Sequence, residues 1–429
     1  MSTTTPAFEG AAIEPGVLPR LLPARPLRTI AGHVEHYGPV PQRTDALILE
    51  IERSGLKGHG GAGFPTGVKM QAVAQRRGSS VVVANGTEGE PASAKDKTLL
   101  SIAPHLVLDG AVLAGTAVGA REVVVCVDRA FPQIAEIVAA AIDERAARAV
   151  DPLPIRMEQA PHRYIAGEES ALVAWLNGGD AKPGFVPPRP FEKGVGGRPT
   201  LVQNVETLAH VALIARFGAA WFRSLGTKAD PGSALVTCTG GFARTGVSEI
   251  PLGISMPALF RATGTEISQV QAVLIGGYFG TWLPPDALDS VRLGSASLRT
   301  QDASFGCGVL FALPKDRCGL AESAHVTRWL ADQNAGQCGP CVNGLDAIAR
   351  AMAALVKGDR KGDAARHLDR WIDMVKGRGA CKLPDGTARF VESSVRVFAD
   401  EIRRHKRNGP CSACSAAPLF PLPRVGGWR

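Results

Sequence analysis

Residues 55–69 read GLKGHGGAGFPTGVK, and six of these fifteen positions are glycine. Because glycine has no Cβ, such a loop can turn sharply and bring its amide N–H groups close to a ligand. Pro65 and Thr66 then begin a predicted helix, and the N-terminus of a helix attracts anions. We interpret the stretch as an anion-binding loop to which Lys69 adds a positive charge; a flexible surface loop is the alternative. The spacing matches neither GxGxxG nor GxxxxGK[ST].

The segments after this loop alternate between predicted strands and helices, which is typical of an α/β fold. Residues 80–84 (SVVVA) and 122–127 (EVVVCV) predict buried strands, and residues 102–119 between them predict a helix. The polar stretch NGTEGEP (85–91) comes directly after the first strand. Ligands bind at the carboxyl ends of strands in open α/β sheets, so we expect these polar side chains to line a site.

The sequence pattern changes after residue 226. Residues 234–239 and 271–275 are strand-like and bracket a predicted helix at 256–263, which indicates a small β-rich module. From about residue 320, apolar residues recur at helical spacing in four segments, which predicts a helical bundle. The end of the sequence, residues 403–429, is basic and then rich in proline, and we expect it to be poorly ordered unless something binds it.

Composition and charge narrow the classes of protein to consider. With 429 residues, 45% hydrophobic and 21% charged, the chain is typical of a globular protein of several domains. The first residues lack the pattern of a signal peptide. The longest apolar run, residues 106–120, is too short for a bilayer and contains Asp109, so we expect no direct membrane insertion. The net charge is +8, but the basic residues are scattered and aromatic content is 6%, so nucleic acid is not an expected partner.

The nine cysteines are unevenly distributed: Cys126, Cys238, Cys307 and Cys318 are isolated, and five fall after residue 337. An odd count without a secretion signal favours a reducing compartment and metal ligation. Cys338 and Cys341 form a C-x2-C pair, Cys381 follows forty residues later, and Cys411 and Cys414 form a second pair. Three interpretations remain open: an iron–sulfur cluster, a zinc site formed by the two pairs, and buried unreactive thiols.

Four long motifs, taken together and in order, resemble those of the NADH-binding flavoprotein subunit of respiratory complex I. The same family includes the matching subunits of NAD-linked hydrogenases and formate dehydrogenases. The resemblance covers about residues 45–400. The motifs are GLKGHGGAGFPTGVK (55–69), NGTEGEPASAKDK (85–97), YIAGEESAL (164–172) and GRPTLVQNVETLA (197–209).

This resemblance implies an α/β fold with three parts. A Rossmann-like FMN-binding domain would be followed by a β-grasp module of the soluble-ligand-binding type and by a C-terminal helical bundle carrying a [4Fe–4S] cluster. The expected divisions are an N-terminal extension (1–40), the FMN/NAD-binding domain (41–228), the β-grasp module and linker (229–318), the iron–sulfur bundle (319–408) and a Cys-containing tail (409–429).

The resemblance also implies roles for individual residues. FMN would be lined by Gly58, Gly60, Gly61, Gly63, Lys69, Asn85, Glu88, Gln203, Asn204 and Thr207. Gly167 and Glu168 would flank the flavin edge. Phe64, Glu90 and Glu169 would face NAD(H), with Glu90 and Glu169 as the catalytic residues. Cys338, Cys341 and Cys381 would bind the cluster. In the family, a hydride passes from NADH to FMN, and electrons then pass one at a time to the cluster.

The chain departs from the family pattern at the dinucleotide site. Thr87 stands where the family has Asp, which removes a negative charge near the flavin. Ala72 and Arg189 occupy positions at which family members have aromatic rings against the adenine. Val186 replaces a basic residue. The adenine site is therefore altered, although the guanidinium of Arg189 could stack on a purine.

A further departure affects the cluster. The family motif is C-x2-C-x2-C with a fourth cysteine about forty residues later, and Ala335 occupies its first position here. The fourth ligand would come from Cys411 or Cys414, from a side chain such as Asp332, or from none, in which case a [3Fe–4S] form is favoured.

Three functions are consistent with this sequence. The first is an NADH dehydrogenase-type oxidoreductase (NADH:acceptor) that passes electrons from NAD(P)H through FMN to a 4Fe–4S cluster and a partner carrier. The second is an electron relay that works with a ferredoxin or a membrane partner without oxidising NADH. The third is a degenerate, zinc-binding interaction subunit. We expect a cytoplasmic hetero-oligomer with other redox subunits or a ferredoxin, in which any membrane association is through partners.

Overall fold

The computed structural model describes residues 20–41 and 46–429. Its first part is a four-stranded sheet covered by helices. The strands are β1 Ser80–Gly86, β2 Ala120–Asp128, β3 Ile155–Ala160 and β4 Thr200–Asn204; the helices are α1 Ile30–Tyr37, α2 Leu47–Ser54, α3 Thr66–Ala74, α4 Lys95–Ile102, α5 Pro104–Ala117, α6 Pro132–Ala147, α7 Glu169–Leu176 and α8 Val205–Phe222.

The sheet is parallel, with strand order β3-β2-β1-β4. Residues 81–83 and 123–125 are all valine and almost fully buried, as expected for strands covered on both faces. The chain runs outward from β1 to β3 and then returns to place β4 on the other side of β1. The carboxyl ends of β1 and β4 therefore form a topological switch point, where such sheets bind ligands. The register aligns Asn85 with Asn204 at this edge.

Helix α8 is the long apolar element of this part. Among the described residues it is the one single helix long and apolar enough to cross a membrane, and 67% of it is buried inside the protein. Helices α4 and α5 satisfy the same criterion only as a pair bent by 98°. Gly110 of α5 allows α5 and α8 to pack closely, because a Cβ there would lie 1.8 Å from the carbonyl oxygen of Leu208.

The second part is a five-stranded mixed sheet with one main helix. Its order is β6-β5-β9-β7-β8, with β5 and β9 parallel and the other pairs antiparallel, which is the β-grasp topology that we expected. Its elements are β5 Ser233–Gly240, β6 Gly246–Pro251, α9 Met256–Thr263, β7 Val270–Ile275, β8 Thr281–Leu283, α10 Pro285–Leu288, α11 Ser295–Arg299 and β9 Val309–Pro314.

The third part is the predicted helical bundle. The last of the four periodic segments, residues 391–402, is divided between two helices at Phe398, whose ring lies directly against Gly319. The helices are α12 Gly319–Asp332, α13 Asp346–Val356, α14 Asp363–Val375, α15 Leu383–Val397 and α16 Ala399–Asn408, and a wider helical turn, Pro340–Leu345, precedes α13.

The expectation of a poorly ordered C-terminal segment is wrong. Phe420 is 3% exposed and stacks on Phe311 of the β-grasp sheet at a centroid distance of 3.8 Å. Trp428 lies under the guanidinium of Arg163, 3.8 Å from its ring centroid. Proline content suggested disorder, but the interspersed aromatic residues bury enough surface to hold the segment in place. Of the expected N-terminal extension, residues 1–19 lie outside the described residues.

Candidate functional site

The glycine loop lies over the switch point. The backbone N–H of His59 donates to Thr207 Oγ1 at 2.9 Å, and the N–H of Gly58 donates to the carbonyl of Phe64 at 2.8 Å. A Cβ on Gly60 would lie 3.4 Å from that of Asn204. The loop is thus closed on itself and attached to the start of α8, directly beside the end of β4.

Its outer face is open. Gly61 and Gly63 have φ values of +115° and +62°, which favour glycine, and a Cβ on either would meet no atom within 4 Å. None of the described residues accepts a hydrogen bond from the backbone N–H of Gly60, Gly61 or Gly63. Free amide donors next to the N-terminus of α3 suit a phosphate group.

A buried ionic network supports the loop from below. Glu206 of α8 contacts His59 Nδ1 at 3.1 Å and the ammonium group of Lys95 at 2.8 Å. Burial alone would raise the pKa of Glu206, but His59 and Lys95 lower it well below its usual value. Glu206 is therefore a fixed negative charge that orients His59 and, through it, the loop.

Asn85 and Gly167 come together at the end of β1. The Asn85 side-chain amide donates to the carbonyl of Gly167 at 2.8 Å. Thr87 donates its hydroxyl to Asn85 Oδ1 at 2.8 Å, so the threonine that replaces the family Asp orients this amide. A Cβ on Gly167 would lie 2.4 Å from Thr87 Oγ1, which explains why this position needs glycine.

The side chain of Glu88 contacts the helix that follows the end of β1. Its carboxylate is buried and accepts bonds from the backbone N–H groups of Asp96 and Lys97, at 2.9 and 3.0 Å, and pairs with the Lys97 side chain at 2.7 Å. It therefore stabilises the start of α4. The φ of Glu88 is +41°, an unusual value for a residue other than glycine. Because its carboxylate is directed to α4, the backbone of Glu88 is what lies next to the end of β1.

Gln203, Asn204 and Thr207, at the end of β4 and the start of α8, differ in their hydrogen bonds. Asn204 caps α8 through the N–H of Glu206 at 3.0 Å, and its amide donates to Asp96 at 2.7 Å. Thr207 holds the loop. Gln203 is buried, and none of the described residues accepts a hydrogen bond from its Nε2. An unpaired buried amide is costly, so Gln203 is the one of the three that has a donor available for a ligand.

The N-terminus of α7 faces the glycine loop. Glu168 is the N-cap and accepts from the N–H groups of Ser170 and Ala171, both at 3.0 Å; burial raises its pKa. Glu169 is partly exposed and pairs with Lys69 at 2.7 Å. Phe64, at the tip of the loop, is 53% exposed. Lys69, Glu169 and Phe64 thus border an open surface that a dinucleotide could cover.

Glu90 is buried where the first two parts of the protein meet. Its Oε2 accepts from the backbone N–H of Tyr278 at 2.8 Å and from the hydroxyl of Tyr164 at 3.2 Å. Among the described residues, its Oε1 accepts only a long bond, 3.4 Å, from the N–H of Ala92. Burial raises the pKa of Glu90 to about 7, so its carboxyl can exist in both protonation states near neutral pH.

The predicted cluster cysteines lie beside the α7 end of the site. The loop before Cys338 is held against residues 163–164: Gln333 accepts from the N–H of Tyr164 at 3.3 Å, and the Asn334 carbonyl accepts from Arg163 at 3.4 Å. Burial raises the pKa of Cys381 to about 11, and the charge of Glu168 contributes in the same direction. Burial, followed by its neighbours Cys338 and Cys381, also raises the pKa of Cys341. Cys341 therefore has Cys338 and Cys381 as neighbours, and Cys381 lies close enough to Glu168 to feel its charge.

The second C-x2-C pair belongs elsewhere. The sulfurs of Cys411 and Cys414 lie with Cys318 and His405, so the zinc site made from Cys338, Cys341, Cys411 and Cys414 is wrong. The pair follows α16 directly, and Glu401 of α16 accepts from the N–H of Leu320 at the start of α12. Asp332 pairs with Arg328 at 2.7 Å on a half-exposed surface. Sequence separation alone could not have grouped Cys318 with residues almost a hundred positions later.

Two family models match this chain. The model of the Nuo51 FMN-binding domain matches residues 51–213, and that of the NADH-ubiquinone oxidoreductase-F iron-sulfur binding region matches residues 321–405. The F subunit of the NADH-quinone oxidoreductase of Rhodobacter capsulatus is 30% identical over 390 residues, covering 87% of this chain and 90% of the relative. The chain belongs to the family of NADH-quinone oxidoreductase F subunits.

Another member of this family and a solved structure give the same picture. The NADH-quinone oxidoreductase F subunit of Rickettsia felis is 30% identical over 370 residues, covering 83% of this chain and 87% of the relative. A crystal structure of an NAD+-reducing [NiFe]-hydrogenase in the air-oxidized state matches with a TM-score of 0.78 and 29% identity, covering 91% of this chain and 66% of that chain.

Membership of this family confirms FMN and an iron–sulfur cluster as cofactors and confirms an oxidoreductase subunit that transfers electrons between them. The residues present fit FMN, because the loop offers free amides and Gln203 a free donor. Three cysteines fit the cluster, and Ala335 occupies the first position of the four-cysteine pattern. Tyr164 was missed as a functional residue: it lies inside a quoted motif, but nothing in the spacing shows that its hydroxyl reaches Glu90.

Proposed function

We propose that the protein oxidises NAD(P)H at its FMN site and passes the electrons to a [4Fe–4S] cluster in the bundle and then to a partner redox carrier. One observation carries this proposal. Residues 163–168 provide Gly167 and Glu168 at the flavin-binding edge and also hold Gln333 and Asn334, just before Cys338, by hydrogen bonds. A single short segment therefore connects the two cofactor sites, which supports direct electron transfer between them.

The roles of the FMN-binding residues follow from their free polar groups. The N–H groups of Gly60, Gly61 and Gly63 would bind the phosphate, with the N-terminus of α3 behind them. Gln203 Nε2 and the Asn85 side chain would hydrogen-bond the ring system at the ends of β4 and β1. When bound, FMN accepts a hydride and releases the electrons singly, while the protein fixes its position and electrostatic environment.

Glu90, Glu169 and Phe64 would hold the nicotinamide dinucleotide. Glu90 Oε1 has spare accepting capacity for an N–H of the ligand, because its one bond from Ala92 is long. Phe64 offers an exposed ring for stacking. Lys69 pairs with Glu169, so binding of a phosphate near the loop would change the partner of Lys69 and leave Glu169 free to accept bonds from a ribose.

The adenine end of this site would differ from that of the family. Arg189 is exposed, and its guanidinium could stack on the purine in place of an aromatic ring. Phe185, 69% exposed, is a second apolar surface in the same loop. We therefore expect NADH to bind through the nicotinamide half and through Arg189.

The test is an anaerobic titration of the purified protein with NADH and with NADPH. We expect the flavin absorbance to bleach, followed by the electron paramagnetic resonance signal of a reduced cluster. The variant Glu169→Gln should weaken reduction of the flavin by NADH but leave its reduction by dithionite unchanged. A flavin that stays oxidised with both nucleotides would contradict the proposal.

The altered positions Ala72 and Val186 favour a second function. At these positions the chain lacks the nucleotide contacts of the family pattern, whereas it keeps the flavin residues. In this function the chain relays electrons between a ferredoxin and its own cofactors. Reduction of the flavin by a reduced ferredoxin, but by neither nicotinamide nucleotide, would establish it.

We also propose the setting in which the protein works. Family membership supports a subunit that assembles with other redox subunits in a hetero-oligomer. Nine cysteines, with no sulfur pair at bonding distance among the described residues, suit the reducing cytoplasm. Co-purification of a tagged chain with further iron–sulfur proteins would test this assembly.

A further inference from the structure

A second group of metal-ligand atoms lies outside the FMN and cluster sites. The Sγ atoms of Cys318, Cys411 and Cys414 and Nε2 of His405 all lie within 4.8 Å of one another. Cys414 Sγ lies 3.5 Å from Cys411 Sγ, 3.5 Å from Cys318 Sγ and 3.6 Å from His405 Nε2; Cys318 Sγ and His405 Nε2 are 3.8 Å apart. Cys318 and His405 are buried, whereas the two tail cysteines are partly exposed.

Three separate elements bring these atoms together. Cys318 is the N-cap of α12, and His405 lies in the last turn of α16. Cys411 precedes a short helical turn, Ser412–Ser415, and Cys414 lies within it. Glu401 holds α16 against α12 by accepting from the N–H of Leu320 at 2.8 Å. The relative positions of Cys318 and His405 are therefore fixed by a contact that does not depend on the sulfur.

We propose that Cys318, His405, Cys411 and Cys414 bind one zinc ion. In a tetrahedral site with Zn–S bonds of about 2.3 Å and a Zn–N bond of about 2.0 Å, the ligand atoms stand about 3.5–3.8 Å apart. Four of the six pairs here have distances of 3.5–3.8 Å, and all six lie within 4.8 Å. Three cysteines and one histidine are a common ligand set of structural zinc. The sulfurs of Cys411 and Cys414 are 3.5 Å apart, well beyond a disulfide bond.

The backbone also supplies the surroundings that thiolate ligands need. The N–H of Ala321 donates to Cys318 Sγ at 3.4 Å. In the tail, the N–H of Cys414 donates to the carbonyl of Cys411 at 3.0 Å, which closes the turn between the two cysteines. Contacts of this kind orient metal ligands and tune their basicity.

This site is separate from the iron–sulfur site. Cys318 begins α12, whereas Gln333 and Asn334, which lead to Cys338, follow its other end. A helix of this length spans about 20 Å. The two sites therefore lie at opposite ends of one helix, and neither can supply a ligand to the other.

The proposed zinc ion lies at the start of the C-terminal segment. The C-terminal segment leaves Cys414 and crosses α12, where the N–H of Leu419 donates to Glu322 at 3.0 Å. Further along, the carbonyl of Pro421 accepts a hydrogen bond from the Tyr278 hydroxyl at 2.5 Å. The carbonyl of Gly426 accepts one from the guanidinium of Arg163 at 3.0 Å. Tyr278 and Arg163 are neighbours of Glu90 and of the loop that carries Gly167. The ion would thus fix the start of a segment that packs against the FMN site.

The test is metal analysis of the full chain purified under anaerobic conditions. We expect about one zinc ion per chain in addition to the iron, bound by three sulfurs and one nitrogen in the zinc X-ray absorption spectrum. The double variant Cys411→Ser/Cys414→Ser should lose the zinc and keep its iron and FMN. Its C-terminal segment should also be cut faster by trypsin after Arg424.

The matched control is Cys238→Ser, which changes a buried thiol of β5 far from these ligands and should keep the zinc. Should the double variant fail to fold, the wild-type protein loaded with cobalt(II) provides a second measurement, because tetrahedral thiolate ligation gives characteristic visible bands. Zinc absent from the wild type, or retained in the double variant, would overturn the proposal.

Discussion

Glu90 shows how the surroundings of one side chain can set its protonation state. It contacts Tyr278 and Tyr164, and the charged or ionisable groups of Glu88 and Cys307 lie close by. Burial raises its pKa to about 7, whereas the hydrogen bonds it accepts act in the opposite direction. An unfolded glutamate has a pKa of about 4.3, so the folded protein holds a proton between about pH 4.3 and 7 that the unfolded chain has lost. The contribution of Glu90 to stability therefore falls as the pH rises through this window.

We expect the rate of flavin reduction by NADH to change with pH around an apparent pKa of about 7 and the variant Glu90→Gln to lose this dependence. Gln keeps the acceptor oxygen for Tyr278 but cannot ionise. The measurement is flavin absorbance in a stopped-flow instrument between pH 5.5 and 8.5, a range of about three pH units centred on the pKa. The control is Glu169→Gln, which should lower the rate without removing the inflection. An unchanged pH profile in Glu90→Gln would show that another group titrates.

At this scale the sequence predicts positions better than roles. Asn85, Gly167 and Gln203 lie together at the strand ends because the motifs that contain them fix the backbone there. The carboxylate of Glu88 turned to α4 instead, because two free N–H groups at a helix start compete for any nearby anion. No pattern along the chain connects Cys318 with His405, since their proximity depends on how α12 and α16 pack.

Among the elements, the glycine loop depends most on its backbone conformation. Gly61 has a φ of +115°, a region that residues with a Cβ rarely adopt, and no atom lies within 4 Å of a Cβ built there. The constraint on Gly61 is therefore conformational and not steric. Holding Ala at such an angle costs about 1–3 kcal/mol, so the loop of a variant would relax and turn its N–H groups away from the phosphate.

We expect Gly61→Ala to weaken FMN binding by about 5- to 150-fold, the equivalent of that strain. The measurement is quenching of flavin fluorescence on titration into apoprotein. Gly78→Ala is the matched control, because Gly78 has a φ of +86° in an exposed turn between α3 and β1 and should cost similar strain without touching the site. Equal FMN affinity in the two variants would contradict the role given to the loop.

Helices and strands were predictable where their apolar residues form a continuous run or recur at a regular spacing. The valine runs of β1 and β2 indicate buried parallel strands, and the apolar spacing in α12 to α15 indicates helices. The C-terminal segment was not predictable in this way. It has no periodicity, and its order comes from single aromatic side chains that find pockets on three different parts of the protein.

At the scale of the whole molecule, the C-terminal segment joins the parts. It contacts the bundle through Trp329, the β-grasp sheet through Phe311 and the FMN-binding part through Arg163. Phe420 is the most deeply buried side chain of the segment.

We expect Phe420→Ala to destabilise the protein by about 3–5 kcal/mol, because it leaves a cavity against Phe311. The measurement is the midpoint of thermal unfolding of the cofactor-loaded protein. The neighbouring Leu419→Ala, at a side chain 39% exposed, should change stability by less than about 0.5 kcal/mol. Equal midpoints for the two variants would show that the segment adds little to the stability of the whole.

The path of the C-terminal segment also affects the order of events during synthesis. Chains grow at about 5–20 residues per second, and domains generally fold as they emerge, so the parallel sheet precedes Trp428 by on the order of tens of seconds. Until then Arg163 lacks its stacking partner and the carbonyl of Gly426. A nascent chain therefore has a period in which the parallel sheet and the glycine loop exist without the support that the C-terminal segment gives to Arg163.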